Sequence, residues 1–402
     1  MTDIVIVGGG QAAGQAAASL RQQDFAGGIT IVSNEPALPY QRPPLSKQYL
    51  SGKVAREHLL VRQAEFYQDR NITVRCGVTV TAVDPAAKIV VTDAGDPIPF
   101  DKLLLATGAR PRGLPVPGIG LAGIHYLRTI ADVDRIREQM AGAQRLCVVG
   151  GGYIGLEVAA VARAAGLAVT ILEAGDRVLQ RVATPELSAF YDKLHREQGV
   201  VIHVSAQVTG FAGTQHVEAV ETGTQRIAAD LVIVGIGIEP NVELAVAAGL
   251  ACDDGIQVDE HCRTSHPDIF AAGDCTRHPS PQLHRRLRLE SVPNALDQAR
   301  VAAANMLGGS EIHDSVPWFW SDQYGLKLQM VGFAADGNTQ VLRGSMDDKK
   351  FAVFHLAADR LVAVDAVNDP QSFMVGKRLF GRSVDAGFLA DHESDLRTLL
   401  KP

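Results

Sequence analysis

Two short glycine clusters carry most of the chemistry legible in this chain. Ile4-Val5-Ile6-Val7 is a β-branched run, and Gly8-Gly9-Gly10-Gln11-Ala12-Ala13-Gly14 follows it ahead of a small-residue helical stretch from Gln15 to Arg21 and a little beyond. Read as G-x-G-x-x-A, Gly8 makes a tight turn, Gly10 lets a pyrophosphate approach the backbone, and Ala13 keeps helix and strand close. The anion then rests on a helix N-terminus, whose unpaired N–H groups and dipole favour negative charge. The pattern returns 142 residues later, counted from Gly8 to Gly150, as Leu146-Cys147-Val148-Val149-Gly150-Gly151-Gly152-Tyr153-Ile154-Gly155, opening a helix from Leu156 to about Ala165. Here the third glycine is present. A second strand, Val169 to Leu172, ends at Glu173, close to the spacing at which a carboxylate accepts from an adenosine ribose. In the first copy the matching strand, Ile29 to Val32, runs into Ser33-Asn34-Glu35, and either Asn34 or Glu35 faces the ribose.

One such cluster is weak, because turn glycines before helices are common. Two are stronger, since each is followed by an apolar strand ending in glycine and then proline: Asp101 to Pro111 through Thr107-Gly108, and Asp230 to Pro240 through Gly235 and Gly237. The chain therefore reads as a duplicated dinucleotide domain with two cofactors. Stretches patterned as β-hairpins lie between the pieces. Asp268-Ile-Phe-Ala-Ala-Gly-Asp274 is again strand-like, and Glu290-Ser-Val-Pro293 leads into a helix from Asn294 to about Leu307, with Pro293 suited to its first turn. Residues 243–316 read as the chain returning to complete the first domain. Pro317 opens a C-terminal module, strand-rich to about residue 366 and holding both tryptophans.

With 402 residues, 46% hydrophobic and 21% charged, the composition is globular and spans more than one core. The net charge of −7 gives no global attraction to nucleic acid or anionic lipid. The five cysteines, Cys76, Cys147, Cys252, Cys262 and Cys275, are scattered without CxxC or metal-ligand spacing, which suggests a reducing compartment and no metal site. No apolar run is long enough for a membrane span, and a strand begins at Ile4 with no room for a signal peptide, so the expectation is a cytoplasmic protein.

The run Pro39-Tyr40-Gln41-Arg42-Pro43-Pro44-Leu45-Ser46-Lys47, together with Ala106-Thr107-Gly108, Ala272-Gly273-Asp274, Glu290 to Ala295 and Trp318-Phe-Trp-Ser-Asp322, resembles the FAD- and NADH-dependent ferredoxin reductases of bacterial oxygenase systems. The resemblance spans nearly the whole chain. It implies an α/β fold: two Rossmann-like, glutathione-reductase-like dinucleotide-binding domains and a C-terminal α+β domain. FAD would bind residues 1–110 and 243–316, NADH residues 111–242, and residues 317–402 would form an interface domain.

Carried over residue by residue, the resemblance puts Gly8, Gly10 and Ala12 at the FAD pyrophosphate and Asn34 or Glu35 at its ribose. Arg42 and Lys47 would reach over the cofactor, as basic groups suit a diphosphate. The family usually has an acid where Asn34 stands, though an amide also bonds ribose hydroxyls. Val80, Thr107, Gly108 and Arg128 would complete the surroundings, and Asp274 would accept from a ribityl hydroxyl. The helix near Val292 would aim its N-terminus at the flavin edge that gains negative charge on reduction. NADH would lie along Gly150, Gly152, Tyr153, Ile154 and Gly155, with Gly235 and Gly237 near the nicotinamide half. Glu173 accepts from a free 2′-hydroxyl and repels a 2′-phosphate, so NADH is favoured over NADPH, with Arg177 close enough in sequence to blunt the preference. Lys47 and Glu157 would pair beside flavin N5 and orient the nicotinamide. The alternative is a structural ion pair. Trp320 would pack near the flavin and pass electrons outward or shield the ring, whereas Trp318 is assigned to packing.

Related flavin disulfide reductases need a cysteine pair near the flavin, and single-cysteine relatives need a thiol where this chain has Arg42 and Pro43. Without a thiol relay, electrons leave from the flavin itself, singly. The resemblance makes the acceptor a two-iron two-sulfur (2Fe-2S) ferredoxin, with no nucleic acid and no membrane involved. Such partners are acidic, so docking needs local positive charge: Arg285-Arg286-Leu-Arg288 is the densest cluster, with Arg300, Lys377 and Arg378 as further candidates. Rivals are a rubredoxin reductase and an NADH-sensing binding protein of the apoptosis-inducing-factor type.

Overall fold

Short apolar runs build two parallel sheets whose central strands are buried on both faces, as parallel sheets require, while edge strands such as Ile72–Cys76 alternate between buried and exposed. The computed structural model describes residues 2–401. In the first sheet the strands run in the order Ile269–Ala271, Lys102–Leu105, Asp3–Val7, Gly28–Ser33, Ile72–Cys76. In the second the order is Val201–His203, Ala168–Leu172, Arg145–Val149, Leu231–Val234, Ile124–Tyr126. Each glycine-tipped strand, Asp3–Val7 or Arg145–Val149, is central, paired on one side with the strand that follows its helix, Gly28–Ser33 or Ala168–Leu172, and on the other with the later apolar strand. That shared arrangement confirms the duplication. Each fold also carries a three-stranded antiparallel insert, Val80–Asp84 with Ile89–Thr92 and Pro97–Pro99, and Val208–Ala212 with Ala219–Thr222 and Arg226–Ala228.

The chain divides into two compact units. One gathers the chain up to Arg42 with Ala55–Arg110 and Glu239–Pro317. Its core is alanine-rich: the helices Gln11–Gln22 and Val292–Met306 meet through Ala13, Ala16 and Ala17 on one side and Ala295, Ala299, Ala302 and Ala303 on the other, small side chains that allow a close approach. Pro293 lies in the first turn of the second helix, as its fixed φ favours.

The other unit holds Pro43–Val54, Pro111–Ile238 and the chain from Trp318 onward. From Trp318 it forms a five-stranded antiparallel sheet, in the order Trp318–Gln323, Leu326–Gly332, Arg360–Val367, Lys350–Ala357, Thr339–Ser345, followed by the helix Pro370–Leu379. Pro43–Val54 falls here although the sequence reading grouped it with the first fold. The reason is local anchoring: Tyr49 donates to Asp134 at 2.6 Å, and the Arg137 guanidinium lies 5.4 Å from the Tyr49 ring centre.

Buried neutral histidines set an acid limit on this fold. Burial pushes His195 down to about 4 and His278 to about 3, the latter with help from His313 and Arg286. The unfolded chain, with ordinary histidine values near 6.5, therefore binds more protons below that pH, and stability falls with pH. Each histidine contributes up to about 1.4 kcal/mol per pH unit, and the loss ends near pH 4 for His195 and near pH 3 for His278. Urea unfolding at pH 7.5 and 5.0 tests this. A midpoint that holds or rises at pH 5.0 contradicts it, and His195→Gln removes its share of the slope.

Candidate functional site

Most of the long helices begin with a side chain that satisfies their free N–H groups. Thr129 caps Ile130–Met140, Thr184 caps Pro185–Glu197, Ser291 caps Val292–Met306 and Asp369 caps Pro370–Leu379. The two helices that follow the glycine clusters differ. Gln11–Gln22 starts at Gly10 and Tyr153–Ala164 at Gly152, each with no side-chain cap and no acid in the first turn. A Cβ placed on Gly10 or Gly152 meets nothing within 4 Å, whereas one on Gly155 would meet the Gly150 carbonyl oxygen at 2.1 Å. Both helix starts thus leave donors bare beside open space, an arrangement that fits a pyrophosphate and leaves a non-binding role unexplained. Both begin earlier than the sequence pattern predicts, at Gln11 rather than Gln15 and at Tyr153 rather than Leu156, so the third fingerprint position lies inside the first helical turn.

In the first unit Gly8 and Gly10 sit at the strand–helix turn, and Ala12 is buried within the helix. Glu35 accepts from Arg42 at 2.6 Å and from the Tyr40 hydroxyl at 2.5 Å, while Asn34 is exposed at the strand end. Burial works against the Arg42 charge, but Tyr40, Glu35 and Asp274 outweigh it and hold the guanidinium above its ordinary value. Thr107 donates to the Asn241 carbonyl at 2.7 Å and Asn241 returns a bond to the Thr107 carbonyl, pinning Thr107-Gly108. Asp274 follows Gly273, whose N–H is held by the buried Gln298 side chain at 2.8 Å. Val292 opens its helix and Val80 is buried at the head of the insert.

In the second unit Glu173 follows the strand Ala168–Leu172 and accepts from Gly151 N–H at 2.6 Å and Gly175 N–H at 2.7 Å, which ties the carboxylate to the glycine turn. Arg177 donates to the carbonyls of Ala183 and Gln180, at 2.9 and 3.2 Å. Tyr153 lies in the first turn with its ring 5.1 Å from Phe319, and Ile154 is exposed. Gly235 is held to the Val149 carbonyl at 2.7 Å, and Gly237 has a positive φ of 110°. Arg128 precedes the capping box of Ile130–Met140, its backbone N–H on Asp132.

Lys47 and Glu157 meet, although 110 residues separate them: Nζ lies 2.7 Å from Oε2, with Glu157 only 3% exposed. The Lys47 ammonium also donates to the Pro43 carbonyl at 3.1 Å. Sequence reasoning missed the other partners of this carboxylate, Ser46 at 2.5 Å and Ser321 at 2.6 Å. Ser46 leaves no signal, and that of Ser321 is weak: it alternates with Gln323 on a strand face that the structure buries, where apolar residues are expected. Trp320 is half-buried on that strand, 5.6 Å from the Trp318 ring, and Lys377 sits 5.0 Å from the Trp318 ring centre.

The basic candidates are not alike. Arg288 is matched by Asp254 and Glu290, and Arg300 by Asp297. Arg286 donates to the Val258 and Arg277 carbonyls, contacts that carry no countercharge, and Arg285 and Arg378 are exposed. All five cysteines are free, and burial raises the thiols of Cys147, Cys262 and Cys275, which keeps them unreactive. No group of three or more potential metal ligands occurs among the described residues, and none of their helices is long and apolar enough to cross a membrane.

Two dinucleotide folds with bare helix starts define an oxidoreductase that takes FAD and a nicotinamide coenzyme. Residues 2–299 match the pyridine nucleotide-disulphide oxidoreductase family and residues 318–400 the reductase C-terminal family, and the chain belongs to the former. It is similar to rhodocoxin reductase of Rhodococcus erythropolis, 47% identical across 94% of this chain and 88% of that one. It also resembles putidaredoxin reductase of Pseudomonas putida, 45% identical across 99% and 96%. The crystal structure of a covalent putidaredoxin reductase–putidaredoxin complex superposes with a TM-score of 0.95 at 44% identity, covering 99% of this chain and 98% of that one.

Proposed function

We propose that this protein is an NADH-dependent ferredoxin reductase that supplies single electrons, through a 2Fe-2S ferredoxin, to a monooxygenase or dioxygenase. The observation that carries the reading is the pair of uncapped, glycine-started helices in a chain whose cysteines are unpaired and mostly buried. Bound FAD supplies the conversion of a two-electron hydride into one-electron steps. The residues do the rest. Gly8 and Gly10 and the helix start behind them hold the FAD diphosphate, with Arg42, kept charged by Glu35, close in the same unit. Gly150, Gly152 and Gly155 hold the NADH pyrophosphate, and Glu173 takes the adenosine ribose. Arg177, engaged with two backbone carbonyls, must give up those bonds to reach a 2′-phosphate, which supports NADH over NADPH. The Lys47–Glu157 pair orients the nicotinamide for hydride transfer. The relatives' ferredoxin partners, and the absence of a thiol pair, support an iron–sulfur acceptor. Free cysteines throughout fit a reducing compartment, and we assign the cytoplasm.

For docking, the positive charge of Arg286, whose described contacts are the Val258 and Arg277 carbonyls, is the favoured contact for an acidic partner, with Arg285 exposed beside it. Anaerobic mixing with NADH, and separately NADPH, followed by candidate ferredoxins and rubredoxins, tests the whole reading. NADH bleaches the flavin faster, and ferredoxin accepts the electrons with a rate that falls as salt rises. Arg285→Glu with Arg286→Glu lowers ferredoxin kcat/KM by about tenfold at low salt and leaves ferricyanide reduction unchanged. Salt-independent ferredoxin reduction sinks the dock. Preference for rubredoxin, or NADH-driven dimerisation without turnover, selects one of the two rivals.

A further inference from the structure

The Lys47–Glu157 pair stands at one end of a buried polar chain that continues through three more side chains to a hairpin turn. Glu157 Oε1 accepts from the Ser321 hydroxyl at 2.6 Å, Gln323 Nε2 donates to Ser321 Oγ at 3.1 Å, and His195 Nε2 bonds Gln323 Oε1 at 2.9 Å. Tyr324 closes the chain with its hydroxyl 3.3 Å from His195 Nδ1. Ser321, Gln323 and His195 are each at most 1% exposed, so bulk water does not compete for the bonds among them, while Tyr324 at the far end is half-buried.

The direction of every bond follows from the first. An ionised carboxylate only accepts, so Ser321 must spend its one proton on Glu157 and receive from Gln323. That fixes the Gln323 amide with nitrogen toward Ser321 and oxygen toward His195. A carbonyl oxygen only accepts, so His195 carries its proton on Nε2 and leaves Nδ1 to accept from Tyr324. All donors point toward Glu157. The turn at the far end bears the cost of this arrangement: Tyr324, not a glycine or asparagine, takes a left-handed φ of 50° ahead of Gly325 at 78°, which sets its ring edge-on to His195 with centres 4.9 Å apart.

We infer that Gln323 and His195 are positioning residues for the Lys47–Glu157 pair: they hold Ser321 as a donor to one Glu157 oxygen so that the other faces Lys47 in a single orientation. The inference rests on the proposed role of that pair in hydride transfer. Burial keeps His195 neutral down to about pH 4, so the relay keeps its tautomer above that pH.

The test uses the FAD-loaded protein, with Ser321→Ala and Gln323→Leu made singly and each combined with Lys47→Met. NADH-driven flavin reduction slows about tenfold in either single variant with the NADH KM within about twofold, and combining either with Lys47→Met slows it no further than Lys47→Met alone. His195→Gln, which keeps a donor toward Gln323, retains most of the rate, and His195→Leu does not. Melting temperatures of the same set give a second reading independent of turnover, in which the losses from Gln323→Leu and Lys47→Met are not additive. If the rates multiply and the stability losses add, the inference is wrong. If the stability losses couple while Lys47→Met reduces at the wild-type rate, the positioning stands and the role of the pair in hydride transfer falls.

Discussion

Gly155→Val leaves a yellow protein that NADH reduces at least about a hundredfold more slowly, the scale of loss set by misplacing a reactant by an ångström or so. A Cβ at Gly155 would meet the Gly150 carbonyl oxygen at 2.1 Å, and one at Gly150, itself at φ 110°, would meet the Gly235 carbonyl oxygen at 2.3 Å. Three backbones are therefore stacked with no flexible side chain between them to give way. A valine forces the turn open and moves the bare N–H groups at the start of Tyr153–Ala164 away from any bound diphosphate. The first fold has its own turn and helix, and at the matching position it already carries Ala13, a buried methyl that its packing accepts. The flavin-to-protein ratio of the purified variant should thus equal that of the parent while NADH binding and anaerobic reduction collapse. Gly155→Ala, with the same first carbon, should show most of the effect. Reduction of Gly155→Val at the parental rate would remove the second fold from the coenzyme's path.

The sequence made this asymmetry visible because it is written locally. A β-branched run, three glycines at fixed spacing and an alanine-rich helix are all neighbours in the chain, and Glu173 follows at a distance set by one helix and one strand. Helix starts were less legible. Glycine disfavours a helix interior, so the helices read as starting after Gly14 and Gly155, yet the last fingerprint position, Ala13 or Gly155, lies within the first turn, and at Gly155 a side chain would strike the Gly150 carbonyl. Long-range pairings left no local trace at all. Nothing around Arg288 announces Asp254, which neutralises it from 34 residues away, so the run of arginines looked more uniform than it is. The same holds for Pro43–Val54, whose place depends on Asp134 and Arg137. The Lys47–Glu157 pair was reachable through resemblance, and the serines that complete it were not, because Ser46 lies in a single short turn and the polar alternation of Ser321 and Gln323 does not say which face of their strand is buried.

Lys47→Met is expected to damage the protein in two separable ways. It strands the Glu157 carboxylate, 3% exposed, with the Ser46 and Ser321 hydroxyls as its remaining side-chain donors among the described residues. Removing one partner of a buried pair costs about 3 kcal/mol or more, chiefly because the remaining charge stays desolvated. If the pair also orients the nicotinamide, hydride transfer slows by roughly a hundredfold, the scale of loss when a reactant is misplaced by an ångström. The single variant cannot tell the two effects apart, since a loosened site also reacts slowly. Adding Glu157→Gln can. With both charges gone, the amide still accepts from Ser321, no ion is left in the interior, and most of the lost stability returns. The rate does not return, because the ammonium that acted on the coenzyme is still missing. Urea unfolding and anaerobic stopped-flow on the parent, both single variants and the double supply the comparison. Recovery of stability with the rate still about a hundredfold down makes the pair part of the chemistry, and recovery of both makes it a strut.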